Sequence, residues 1–260
     1  MRRLPVVLLC CLALPAWAAS PACAVHSGVA RVPLVELYTA EGCSSCPPAD
    51  RWLGTLVEAQ PEVAALAFHV DYWNDEGWVD PFSDAAYTQR QSYRVRLAKK
   101  KTLVTPQVML GAQTMLDWRT PAGVNRALRS AREGAAEVEL SLSGNVTGDR
   151  AQLQLSARPA TGTTRTAAAE AAPMLWLALY QAGVDREITA GENRGVSLHH
   201  THVVRKLAGP WKLDAAGTQG AVQIPLQGLD PAGLGVVLFA ESAQDARTLQ
   251  SLVLPLRDCR

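Results

Sequence analysis

Cys43-Ser44-Ser45-Cys46 is the segment whose residue types and spacing most directly specify chemistry. Two thiols three positions apart can close a disulfide or, when reduced, supply one attacking and one resolving sulfur. Trp52, Leu53, Leu56 and Val57 follow at helical spacing, which places the pair at or just before a helix N-terminus. The free first-turn amides and the helix dipole stabilise a thiolate there. Pro47 and Pro48 fit a helix that starts near Ser45, because first-turn amides have no intrahelical partner to lose. Cys43 then reads as an exposed nucleophile that attacks a disulfide, and Cys46 as a more buried resolver of the mixed disulfide. Ser44 and Ser45 offer hydroxyl or amide donors and no cation. The competing readings are a non-catalytic disulfide and half of a metal site, but a tetrahedral zinc needs four ligands and the chain has no second CxxC.

Three further groups carry candidate chemistry. The segment from His69 to Phe82 concentrates aromatics and acids where a strand should end beside the CxxC helix, the edge at which open α/β sheets commonly meet ligands. It reads as a substrate rim in which Trp73 and Trp78 are apolar anchors and His69 and Asp71 are polar contacts; the alternative is a structural loop whose tryptophans plug the core. Asp71, Asp75, Glu76 and Asp80 match no calcium-loop signature. His199, His200 and His202 cluster in one expected strand, where His200 and His202 would share a face. Two histidines are an incomplete metal site, so no metal ligand set is assigned. Cys43, Cys46 and His69 form the alternative, a soft set suited to copper delivery. Thiol exchange itself needs no cofactor.

Positioning these residues falls to a simple series of elements. Pro33 to Tyr38 and Ala64 to Val70 read as strands, Ala85 to Ala98 as a polar helix, and Thr105 to Leu110 as a strand entered through Pro106. Gly111-Ala112 turns that strand back into Gln113 to Leu116, and a last helix runs from Thr120 to about Arg132. After Gly134 the texture changes to short alternating segments: Val138 to Ser143, Ala151 to Ala157, Met174 to Gln181, Val196 to Lys206, Ala221 to Leu226, Leu234 to Glu241 and Leu249 to Leu256. Turn residues separate most of them, the pattern of an all-β sandwich. The Thr- and Ala-rich stretch 161–172 reads as an exposed loop. The expected division is 23–134 for an α/β domain and 137–260 for a β-sandwich-like domain.

The first 18 residues have a charged start, an apolar run from Leu4 to Leu14 and Ala16-Trp17-Ala18, the order of a secretory signal peptide. Periplasmic or secreted placement follows as an expectation. Cys23 lacks the preceding aliphatic residue of a lipidation signal, and no segment offers the roughly 18 apolar residues of a membrane span. The balance of 25 basic against 24 acidic residues excludes a strong electrostatic footprint for nucleic acid. A protein or a small thiol or disulfide is the expected partner. Of the six cysteines, Cys10 and Cys11 lie in the signal. The spacing of the other four pairs Cys43 with Cys46 and leaves Cys23 for Cys259, a terminal staple in an oxidising compartment. Two free terminal thiols are the alternative.

Strand, CxxC at a helix start, strand, helix and a proline-led hairpin resembles the thioredoxin fold. Thr105-Pro106 resembles the cis-proline segment that lies against the active-site disulfide in that superfamily. Val35-Glu36-Leu37-Tyr38-Thr39, Gly42-Cys43-Ser44-Ser45-Cys46-Pro47-Pro48-Ala49-Asp50, His69-Val70-Asp71-Tyr72-Trp73, Gly77-Trp78, Arg90-Gln91 and Thr105-Pro106-Gln107 together resemble a bacterial family of exported thioredoxin-like proteins catalogued as a domain of unknown function. The resemblance implies a redox site with Pro106 shaping a substrate groove and Thr105 contacting substrate. It also offers Glu36 as the buried acid that relays protons to the resolving cysteine, one residue out of register; the alternative is a solvent-facing carboxylate on an alternating strand. The chain departs from ordinary thioredoxins in lacking a Trp before Cys43 and in carrying Pro47-Pro48 after the pair.

Overall fold

The structure, a computed structural model, describes residues 22–111, 114–162 and 171–260. The signal read over 1–18 and most of the low-complexity stretch 161–172 lie outside the described residues. In chain order the elements are β1 (Cys23–His26), β2 (Leu34–Thr39), α1 (Pro47–Ala59), β3 (Ala64–His69), α2 (Ala85–Leu97), β4 (Gln107–Leu110), β5 (Thr114–Leu116) and α3 (Pro121–Arg132). Then follow β6 (Val138–Thr147), β7 (Arg150–Pro159), β8 (Met174–Glu187), β9 (Ser197–Lys212), β10 (Thr218–Pro225), β11 (Leu234–Glu241) and β12 (Thr248–Pro255). The fold is mixed α/β, with two sheets and three α-helices among the described residues. None of those helices is long and apolar enough to cross a membrane.

One sheet has eight strands in the order β12-β11-β8-β9-β3-β2-β4-β5, and the other has four in the order β1-β6-β7-β10. The larger sheet therefore takes strands from both sides of residues 134–137. Its seam is the parallel pairing of β3 with β9, where Ala67 faces Val203. β2, β3 and β11 are buried along their whole length, which explains their near-continuous apolar sequence.

Alternation along β2 sends its side chains into two cores. Val35 and Leu37 pack with Leu53 and Leu56 of α1 and with Val124 and Leu128 of α3. Leu34 and Tyr38 point the other way, into a core with Phe68, Tyr87, Cys43 and Cys46. Each fully buried aliphatic side chain contributes about 1.5–3 kcal/mol. β6 and β7 alternate strictly, and Leu140, Leu142, Leu153 and Leu155 form a third core with Leu177, Leu179, Leu238 and Leu254 of the larger sheet. Gly144 permits the close approach of β6 to β7: a Cβ there would lie 2.1 Å from the Gln152 carbonyl oxygen.

Two local differences from the sequence expectations have physical causes. α1 starts at Pro47, with Cys46 as its N-cap and both prolines in the first turn, slightly later than the expected Ser45. β1 carries too few residues for a readable period; pairing with β6 makes it a strand, with Cys23 opposite Gly144. The Cys23–Cys259 disulfide closes the two ends of the described chain onto each other.

Candidate functional site

β2 ends at Thr39, and the turn that follows hands the chain to α1. The Cys43 amide donates to the Ala40 carbonyl at 3.1 Å and the Cys46 amide to the Cys43 carbonyl at 3.1 Å. These bonds coil the loop so that Cys43 and Cys46 meet in a disulfide with Cα atoms 5.4 Å apart. The Thr105–Pro106 peptide is cis and lies against this loop. Ser45 Oγ sits 3.4 Å from Cys43 Sγ and donates to the Thr105 carbonyl at 3.3 Å. Trp73 Nε1 donates to Thr105 Oγ1 at 2.7 Å, so Trp73, Thr105 and the cysteine loop form one continuous surface.

The expectation of an exposed Cys43 is not met. Both cysteines are 0% exposed, while Ser44 and Ser45 between them are open to solvent. Residues distant in sequence fasten the loop. Asn193, in the β8–β9 connection, donates through Nδ2 to the carbonyls of Glu41 at 2.8 Å and Cys43 at 3.0 Å. Glu192 Oε2 accepts the Ser44 amide at 3.0 Å. Trp78 Nε1 and Arg186 Nε donate to the two oxygens of Glu41, at 2.8 and 3.1 Å. Gly191, at φ +71°, lets this connection close on Trp78, since a Cβ there would lie 2.9 Å from the Trp78 Cβ.

Beneath the loop lies a buried polar cluster. His69 Nδ1 and Asp80 Oδ2 are 2.6 Å apart, and Asp80 also accepts the Glu41 and Phe82 amides at 2.8 and 2.9 Å. Burial works against a charged His69, but Asp80 beside it raises its pKa above the ordinary value. Burial pushes Asp80 upward, and His69 with the two amides brings it below its ordinary value. His200 stacks edge-on to His69 with ring centroids 4.8 Å apart. Its nitrogens face Glu41 Oε1 at 3.4 Å and Asp50 Oδ2 at 3.7 Å without making a hydrogen bond. Asp50 lies one helical turn beyond Cys46, accepts from Thr39 Oγ1 at 3.3 Å, and is raised above its ordinary pKa chiefly by burial.

Glu36 is neither solvent-facing nor placed as a mobile proton carrier. Its oxygens accept from Arg90 Nη2 at 2.6 Å, Arg94 Nε at 2.7 Å and Tyr38 Oη at 2.6 Å, and both arginines also bind Glu241. Burial raises the Glu36 carboxyl, but the two guanidinium groups outweigh it and hold the pKa at about 2. These buried arginines also explain why α2 reads as a polar helix: its inward face is charged.

The remaining candidates have local partners. Asp71 ties the chain to α2, its amide donating to Thr88 Oγ1 at 3.2 Å and its Oδ1 accepting from the same hydroxyl at 2.5 Å. His199 faces Asp185 at 2.7 Å on the surface. His200 and His202 do not act as a pair: His202 takes a left-handed backbone, φ 54°, and turns to Tyr180 and the Ala65 carbonyl. Among the described residues no group of three or more His, Cys, Asp and Glu is placed to hold a metal ion. Sequence reasoning missed Asp50, Glu41, Asn193 and Glu192. Asp50 carried a readable signal in its spacing of four from Cys46 on a helix; the others carried none.

The chain belongs to the DUF1223 family, described as proteins of unknown function, which it matches over residues 34–241. No curated protein matches it. Among solved structures it is similar to an Agrobacterium tumefaciens protein, at 22% identity and TM-score 0.60, over 88% of this chain and 96% of that one. It is also similar to HBP35 of Porphyromonas gingivalis, at 14% identity and TM-score 0.65, over 89% of this chain and 77% of that one. At these identities the likeness concerns the fold alone.

Proposed function

We propose that this chain is an exported thiol–disulfide exchange protein built on a thioredoxin-like arrangement, with Cys43 as nucleophile and Cys46 as resolver. The observation that carries the reading is the Cys43–Cys46 disulfide at the start of α1, with the cis Thr105–Pro106 segment against it. Support for the thioredoxin-like arrangement comes from the part-sheet β3-β2-β4-β5, in which β2 runs parallel to β3 and antiparallel to β4. The second disulfide, Cys23–Cys259, fits an oxidising compartment and so favours export.

In this reading Thr105, Pro106 and Trp73 line the approach to the sulfurs, and Trp78 braces the loop from behind. Asp50 replaces Glu36 as the proton-handling group, because its carboxyl lies buried one turn from Cys46 and burial raises its pKa above the ordinary value. A second reading is favoured by the complete burial of both cysteines: a structural disulfide that locks the loop for a binding role. Trapping separates the two. A Cys46→Ser chain should accumulate mixed disulfides with thiol partners, and the Cys43→Ser,Cys46→Ser chain should not. Equal yields from both chains would favour the structural disulfide.

A further inference from the structure

Ser44 follows Cys43 in the chain, and its N–H donates to Glu192 Oε2 at 3.0 Å. Glu192 comes from the β8–β9 connection, 148 positions further on. Its neighbour Asn193 is 5% exposed and bonded to two carbonyls of the cysteine loop, so the carboxylate is delivered by a fastened stretch of chain. Covalent geometry keeps the nitrogen after a cysteine within about 5 Å of its sulfur, which puts the carboxylate within about 8 Å. A main-chain N–H in that position is the kind of donor that stabilises a thiolate at a helix start. Here it is engaged by an anion.

The other charged or titratable groups around the loop are already committed or lie deeper. Arg186 is turned to Glu41, whose other oxygen is taken by the Trp78 indole; Asp80 accepts the Glu41 amide and pairs with His69; and Asp50 and His200 face each other below the loop. Ser45 is the neutral neighbour of the sulfur.

We propose that Glu192 is a positioning residue for Cys43: it keeps the Ser44 amide from the sulfur and sets a negative charge beside it, so the reduced pair is held as thiols and favours giving up its electrons. The inference rests on the exchange reading and supplies its direction. The Cys43 thiolate attacks a substrate disulfide, forming one S–S bond as the substrate's own breaks, and one substrate sulfur leaves as a thiol. The Cys46 sulfur then attacks Cys43 and releases the second. Two electrons and two protons pass from the cysteine pair to the two substrate sulfurs.

The test reads the sulfur directly. In a Cys46→Ser chain with Cys23–Cys259 left oxidised, Cys43 is titrated by its ultraviolet thiolate absorbance. Adding Glu192→Gln retains an oxygen to accept the Ser44 N–H and removes only the charge. The midpoint is expected to fall by about half a unit to one unit, and the difference should shrink in high salt. In the full chain, above that midpoint, E192Q should raise the dithiol-to-disulfide ratio in a fixed glutathione buffer by about threefold to tenfold. A midpoint left unchanged or raised by Glu192→Gln overturns the proposal. The titration needs no exchange partner, so a shifted midpoint with nothing trapped by Cys46→Ser would remove the exchange reading while upholding the control of Cys43 by Glu192.

Discussion

Asn193 holds Cys43 by the main chain: its Nδ2 donates to the Cys43 carbonyl at 3.0 Å from 150 positions further along the sequence. The same NH2 group serves the Glu41 carbonyl at 2.8 Å, so one buried amide satisfies two buried acceptors on the loop that carries the disulfide. The geometry of the cysteine loop therefore depends on strands from the far half of the chain.

Asn193→Ala should cost about 1–3 kcal/mol, because it takes the side-chain donor from the buried Glu41 carbonyl and leaves the Cys43 carbonyl with the Cys46 amide alone. It should also loosen the loop that carries the sulfurs. The Cys43–Cys46 bond should then be reduced by dithiothreitol faster than in the parent, followed by alkylation and mass spectrometry. An unchanged rate, measured against Cys23–Cys259 as internal reference, would show that the β8–β9 connection does not guard the pair.

Glu36→Gln should destabilise the fold by about 3–5 kcal/mol near neutral pH, since it leaves two buried guanidinium groups short of a counter-charge. The Glu36 carboxyl lies at about 2 against an ordinary 4.5. A depressed acid contributes stability above the unfolded value and loses it as pH falls through the folded one. That difference corresponds to about 3 kcal/mol. Chemical denaturation from pH 6 to pH 2 should show a steep acid limb in the parent and a shallower one in E36Q.

Asp80→Asn should act on His69. With its folded pKa raised, His69 contributes stability that is complete below its unfolded value near 6.5 and is lost as pH rises through the folded value. Removing the Asp80 charge should bring the His69 titration down, seen in the imidazole resonances. It should also cost about 3 kcal/mol, because a buried charge pair loses one member. A His69 titration that does not move would mean that Asp80 is not its partner in solution.

Cys23→Ser,Cys259→Ser should lower stability by about 2–5 kcal/mol, because the lost cross-link spans most of the chain and restricts the unfolded state. The disulfide joins residues 236 positions apart. The Cys43–Cys46 bond, held in a separate core, should form normally in this variant, as free-thiol counting can establish. Loss of both bonds together would tie the cysteine loop to the terminal staple.

The elements around the cysteines were legible because their causes are local. Leu34–Thr39, Ala64–His69 and the helix at Pro47 are set by branched residues, apolar runs and proline at the first turn, all within a few positions of one another. The alternating strands Val138–Thr147 and Arg150–Pro159 were legible for the same reason. Their ends were less so: β8 and β9 extend well past their apolar stretches, because pairing with each other rather than burial continues them.

Sequence alone therefore determined the CxxC pair, its place at a helix start and the strand entered through Pro106; a resemblance set that strand against the pair, and the pairing of Cys23 with Cys259 stood beside the alternative of two free thiols. Tertiary structure decided whether Cys43 is open, which acid lies near Cys46 and where Glu36 goes. Those outcomes hang on contacts such as Asn193 with Cys43, Glu192 with Ser44, and Glu36 with Arg90 and Arg94, between residues 54 to 150 positions apart. No periodicity or local propensity encodes such a pairing. The Asn193 and Glu192 contacts exist only after β9 joins β3 and brings the second half of the chain over the first, and those of Glu36 only after α2 folds onto β2.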